Sequence, residues 1–261
     1  MEMRGMMGGF YKLSEWIMRL SVTNVLWLLT SLPFWLVMFA FLTAQNETEL
    51  QAFVIPLAVV APFTLFPATS AMFSVARKWV LGDVDVPLLK TFFRNYKQNY
   101  VQAMIGGIVY ALLFAILIID FQVYLRQIAQ LQLLAYLFIA LIILLSISLL
   151  HFFSLLSHFH MKTVQLLKNA LILTIGRPIR SLIMAIGAAA VLALSFMKFT
   201  FLIPFFFGSI IAVYTFFNFN LVIQKMMLLK EAAEATDESQ SEDEADGETD
   251  EESEEGKKSQ G

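Results

Sequence analysis

The sequence predicts an all-α fold: a polytopic integral membrane helix bundle of six transmembrane helices, with both termini cytoplasmic and short amphipathic cytoplasmic helices between the spans. Three observations predict it. Six long apolar stretches punctuate the 261 residues, of which 58% are hydrophobic. Most of them reach the ~20 helical residues that cross a ~30 Å hydrocarbon layer. Sixteen of the eighteen Lys and Arg residues lie in alternate connections between these stretches, and this bias sets orientation because insertion reads basic residues in short loops and largely ignores acidic ones.

Residues 1–21 are expected to form a cytoplasmic amphipathic segment, with Phe10, Leu13, Ile17 and Leu20 on one helical face and Lys12, Glu15 and Arg19 on the other. The first span runs from Val22 to Thr43, longer than the roughly 7–15 apolar residues of a cleaved signal peptide. The second, Phe53 to Val75, carries Pro56, Pro62 and Pro67 as expected helix kinks, since each lacks the N–H that an intrahelical bond requires. Thr69, Ser70 and Ala71 beyond Pro67 suit close helix packing.

The cytoplasmic loop 76–100 has internal order. Pro87 suits a helix start, Leu88, Leu89, Phe92, Phe93 and Tyr96 recur with helical spacing, and Lys90, Arg94 and Lys97 occupy the opposite face. That is the pattern of a helix lying in the headgroup layer. The aromatics and amides beside these charges make Phe92, Phe93, Arg94, Asn95, Tyr96, Lys97, Gln98 and Asn99 the candidate partner-binding residues; lipid anchoring is the plainer reading.

The third span, Val101 to Ile119, contains Gly106 and Gly107, and the fourth runs from Leu131 to Leu156. The cytoplasmic loop 157–180 holds a third amphipathic candidate, Lys162 to Leu173, ended by Gly176 and Pro178. The fifth span, Ser181 to Met197, presents Ala185, Gly187, Ala188, Ala189, Ala190 and Ala193 as a small-residue surface, equally suited to internal packing and to homo-oligomerisation. The sixth runs from Thr200 to Val222, which closes a membrane domain over residues 22–225.

Residues 226–261 form an acidic tail. Positions 231–261 carry fourteen acidic against two basic residues and no aromatic or β-branched apolar side chain. Such a segment cannot bury enough apolar surface to offset its ordering entropy, so disorder is expected.

Chemistry is scarce. No Asp, Glu, Lys or Arg falls near the middle of a span, which weighs against a proton-driven pump. His151, His158 and His160 are the only cluster of metal-capable side chains. Helical metal pairs sit at i, i+3 or i+4, a spacing these lack, so hydrogen-bonding histidines are expected and no metal or cofactor. Gly208-Ser209 lacks the strained elbow of a serine hydrolase, and no Gly-rich phosphate loop is present. With no cysteine, disulfides, thiol catalysis and palmitoylation are absent. No enzymatic activity and no nucleic-acid partner are expected. A transporter or channel is the rival, with Asn24, Thr64 and Ser70 lining a pathway beside the second span.

The run Asn24-Val25-Leu26-Trp27-Leu28-Leu29-Thr30-Ser31-Leu32-Pro33 resembles the first-span signature of the YesL-like family of bacterial membrane proteins. Pro67 to Ala71, Phe92 to Asn99 and Leu167 to Leu171 extend the similarity, in order, over roughly residues 10–225. The acidic tail is not part of that pattern. The resemblance implies a bacterial cell membrane protein of a family without assigned function. Members are often encoded beside carbohydrate uptake systems of the ATP-binding cassette type, so it implies an accessory role with sugar-transporter subunits as partners. No catalytic residues come with it.

Overall fold

A computed structural model describes residues 6–126 and 132–258; side chains are described for 9–125 and 133–234. Expectations for residues 1–5, 127–131 and 259–261, and for the side chains of Arg126 and of the acidic tail beyond residue 234, lie outside these limits. Every described element is a helix: α1 (Met6–Thr30), α2 (Leu32–Leu42), α3 (Glu47–Phe63), α4 (Leu65–Val80), α5 (Leu88–Arg126), α6 (Gln132–His158), α7 (Thr163–Gly176), α8 (Pro178–Met197), α9 (Leu202–Phe205) and α10 (Phe207–Lys258). Four are long and apolar enough to cross a membrane, or six if each of two bent pairs is one span.

Both bent pairs occur where the sequence placed a single span. The stretch Val22 to Thr43 turns by 81° between α1 and α2. Pro33 lies in the first turn of α2, where its missing N–H costs little. The Ser31 hydroxyl donates to the Trp27 carbonyl at 2.6 Å and accepts from Trp35 Nε1 at 3.1 Å, so the turn is held by its own polar groups.

The second pair, α3 and α4, bends by 44° at Thr64. Of the three expected kinks, Pro62 and Pro67 flank this break, while Pro56 lies inside α3, away from it. Pro67 has no N–H for the Phe63 carbonyl one turn earlier, and the Tyr100 hydroxyl donates to that oxygen instead, at 3.1 Å.

Two segments expected as separate cytoplasmic helices are not separate. Residues 88–99 form the first turns of α5, a single 39-residue helix, and Phe10 to Leu20 belong to α1, which continues into the first span. Helical hydrogen bonds propagate cheaply once begun, and no Pro or Gly stands between Leu88 and Gln102 to stop them. The segment at Lys162 does form its own helix, α7. Its start is capped by Gln165 Oε1 accepting from Lys162 N at 3.2 Å, and the chain breaks at Arg177 before Pro178 begins α8. The sixth span also differs from expectation: Thr200 to Val222 is interrupted at Phe206, between α9 and α10.

The chain divides into two compact units, 1–219 and 220–261. In the first, α4 is packed against α1, α3, α5 and α6, with Ala68, Ala71, Phe73, Val75 and Ala76 almost fully buried. Phe153 joins Phe66, Phe73 and Phe152 at ring separations of 5.3–5.6 Å. Gly106 and Gly107 permit this packing. A Cβ on Gly106 would overlap the Phe152 ring, and one on Gly107 would lie 2.8 Å from Phe66 Cγ and 2.9 Å from Pro62 Cα. Gly187 gives Tyr214 the same room.

In the second unit α10 continues to Lys258, with Lys230 Nζ 3.3 Å from Glu234 Oε1. Ala and Glu favour helix. The expectation of disorder came from the lack of surface to bury, whereas helical hydrogen bonds are local, so composition and helical backbone speak to different quantities.

Candidate functional site

The start of α5 carries the candidate partner-binding residues, and the helix sorts them by face. Thr91 and Phe92 point into the core, Phe92 with no exposed surface, so Phe92 leaves the contact set. An aromatic at this spacing is core or surface depending on which side the rest of α5 presents, which the period does not reveal. Asn95, Tyr96 and Asn99 are half-buried. Asn95 donates to the Thr91 carbonyl at 2.7 Å, and Asn99 approaches the Ser74 hydroxyl of α4 at 3.4 Å. Phe93, Arg94, Lys97 and Gln98 remain exposed, a basic patch with one aromatic on a firmly seated helix.

Neighbouring ion pairs tie α1 to the loop before α5. Arg19 is buried, and its guanidinium pairs with Glu15 one turn earlier and with Asp85. Its Cζ lies 5.9 Å from the Trp16 ring centroid, and Trp16 packs edge-on against Trp79 of α4 at 5.7 Å.

Deeper in the bundle, Asn24 has no exposed surface. Its amide nitrogen donates to the carbonyls of Ile203 and Pro204 at 3.0 and 2.8 Å. Its amide oxygen accepts from the backbone N–H groups of Gly208 and Ser209 at 2.8 and 3.2 Å. One side chain thus closes the break between α9 and α10, where helix ends leave backbone groups unpaired. Trp27, one turn on, donates through Nε1 to Thr69 Oγ1 at 3.0 Å, and its ring would lie 3.0 Å from a Cβ on Gly208.

Asn24 is not free to line a pathway, as the sequence suggests, because both ends of its amide are engaged in backbone bonds. Thr64 spends its hydroxyl on the Val60 carbonyl at 2.9 Å. Ser70 is fully buried, and its hydroxyl has no hydrogen-bond partner among the described residues.

Beside the bend instead lies an apolar groove of about 460 Å³ between α3 and α5. Half-buried Ala58, Ala111 and Ala115 line it, more exposed Ile55, Leu112 and Ile119 flank it, and Gln51 and Gln122 are its only amides.

The histidines do not converge. His151 Nε2 is 3.0 Å from the Ser181 hydroxyl, His158 stacks edge-on against Phe159 and Phe219, and His160 is exposed. Among the described residues no three His, Cys, Asp or Glu side chains are placed to hold a metal ion.

Comparison with known proteins agrees with the sequence resemblance. Residues 20–121 match a family model described as "Protein of unknown function, DUF624". The Uncharacterized protein YesL of Bacillus subtilis (strain 168) is 31% identical over 205 residues, 78% of this chain and 85% of that protein. The Uncharacterized protein YteU of the same organism is 32% identical over 176 residues, 67% of this chain and 68% of that protein. No solved structure matches. Identity at this level over most of both chains carries the conclusion that this chain belongs to the YesL-like DUF624 family.

Proposed function

We propose that the chain is a six-span membrane protein with both termini cytoplasmic, each bent pair counting as one span. It works without catalysis of its own as an accessory component of a carbohydrate uptake system of the ATP-binding cassette type. The observation that carries this reading is the exposed patch of Phe93, Arg94, Lys97 and Gln98 on α5, held in place by buried Thr91 and Phe92. A basic surface with a large apolar side chain on a rigid support suits contact with a protein partner. The alternation of basic connections supports the orientation, and the resemblance supports the class of partner.

The rival reading, a solute pathway beside the Pro-containing second span, draws less support. The groove there is apolar, and two of the three polar side chains assigned to such a pathway, Asn24 and Thr64, bond to backbone groups instead.

The test is mild crosslinking in native membranes, purification through a tag on the acidic tail, and mass spectrometry of what accompanies the protein. Recovery of permease or ATPase subunits, lost in Arg94→Glu/Lys97→Glu with insertion intact, is expected. Recovery of the protein alone, or association indifferent to the charge reversal, overturns the proposal.

A further inference from the structure

The groove between α3 and α5 begins where Pro62 meets Gly107 and extends to Gln51 and Gln122. At 1.5 Å rise per residue that is about 17 Å along α3, from Pro62 to Gln51, and about 21 Å along α5, from Ile108 to Gln122. Its surface is almost entirely aliphatic, and both amides sit at one end. We propose that it is a binding site for one acyl chain of a glycerolipid, with the Gln51 and Gln122 amides donating to the ester carbonyls at its mouth.

Length and volume select this occupant over a partner helix. A crossing helix needs the whole ~30 Å hydrocarbon layer, but the groove closes at the Pro62–Gly107 contact after about one leaflet. The slot of about 460 Å³ suits a single extended chain, which is slender enough to lie between two packed helices. Half-buried Ala58, Ala111 and Ala115 make the slot; larger side chains there would fill it.

The two amides select an ester: its neutral carbonyl oxygens accept from the Gln51 and Gln122 side chains, and the aliphatic slot behind them takes the chain.

The site rests on the membrane-spanning part of the proposed function and not on the accessory role. Failure of the membrane reading would appear separately, as failure to incorporate into vesicles. The experiment uses the full chain in vesicles of phosphatidylglycerol and phosphatidylethanolamine, doped with a phosphatidylethanolamine bearing a diazirine in mid-chain. After irradiation, labelled peptides are mapped by mass spectrometry. Labelling of α3 and α5 about tenfold above the exposed Leu182, Ile183 and Ile186 of α8 is expected, the ratio for a site worth ~1.4 kcal/mol.

Ala115→Phe, which fills the slot, should bring labelling down to the level of α8. If that variant does not fold, Ala111→Val/Ala115→Val supplies the same readout. Uniform labelling of all lipid-facing helices, enrichment unchanged by filling, or crosslinks from the groove to a second polypeptide each overturn the proposal.

Discussion

The Asn24 side-chain oxygen accepts from the Gly208 backbone N–H at 2.8 Å, across a sequence separation of 184 residues. The same side chain donates to the Ile203 and Pro204 carbonyls. Replacement by Leu keeps the branching at Cγ and leaves these backbone groups unpaired in a buried setting, at a cost of roughly 1–3 kcal/mol. Asn24→Leu should lower the unfolding midpoint in a detergent titration, and so should Asn24→Asp, which keeps the acceptor but sets an oxygen against the Ile203 and Pro204 carbonyls. An unchanged midpoint would show that the break between α9 and α10 holds itself.

The Tyr100 hydroxyl serves the carbonyl of Phe63 at the α3–α4 bend. Tyr100→Phe should destabilise by about 0.5–1.5 kcal/mol. In a Pro67→Ala background, the restored N–H serves that carbonyl and the same substitution should cost less. Equal costs in the two backgrounds would remove Pro67 from the explanation.

Gly106 abuts the Phe152 ring so closely that any side chain collides with it. Gly106→Leu should cost roughly 1–3 kcal/mol through overpacking, and Phe152→Ala should relieve part of that cost. Additive effects in the double variant, measured by the same titration, would place the two residues in separate packing units.

With no native cysteine, orientation is directly measurable by single-cysteine labelling. Thr48→Cys should react with a membrane-impermeant maleimide in intact cells, and Gln98→Cys only after permeabilisation. The reverse pattern would invert the proposed topology, and with it the side on which the α5 patch meets its partner.

Local physics made the helical class and the location of the apolar stretches readable without a structure. Span length, the 3.6-residue period, and the positions of Pro62, Pro67 and Pro178 are properties of contiguous residues, and helices follow them. Whether a Pro bends a helix is less local. Pro56 lies within α3, whereas the chain breaks at Thr64 between Pro62 and Pro67, where Tyr100 replaces the lost donor.

The role of Asn24 was out of reach for the same reason. Its four partners lie at residues 203–209, and nothing in the composition of α1 names them. Phe92 reads as a surface aromatic until the direction of the whole of α5 fixes it inward. Which segments are apolar helices and where basic charge accumulates are set by neighbours along the chain and can be read from it. Which helices run on, which break, and which polar groups the breaks consume depend on hydrogen-bond and packing partners brought together from distant parts of the chain, and these emerge with the fold.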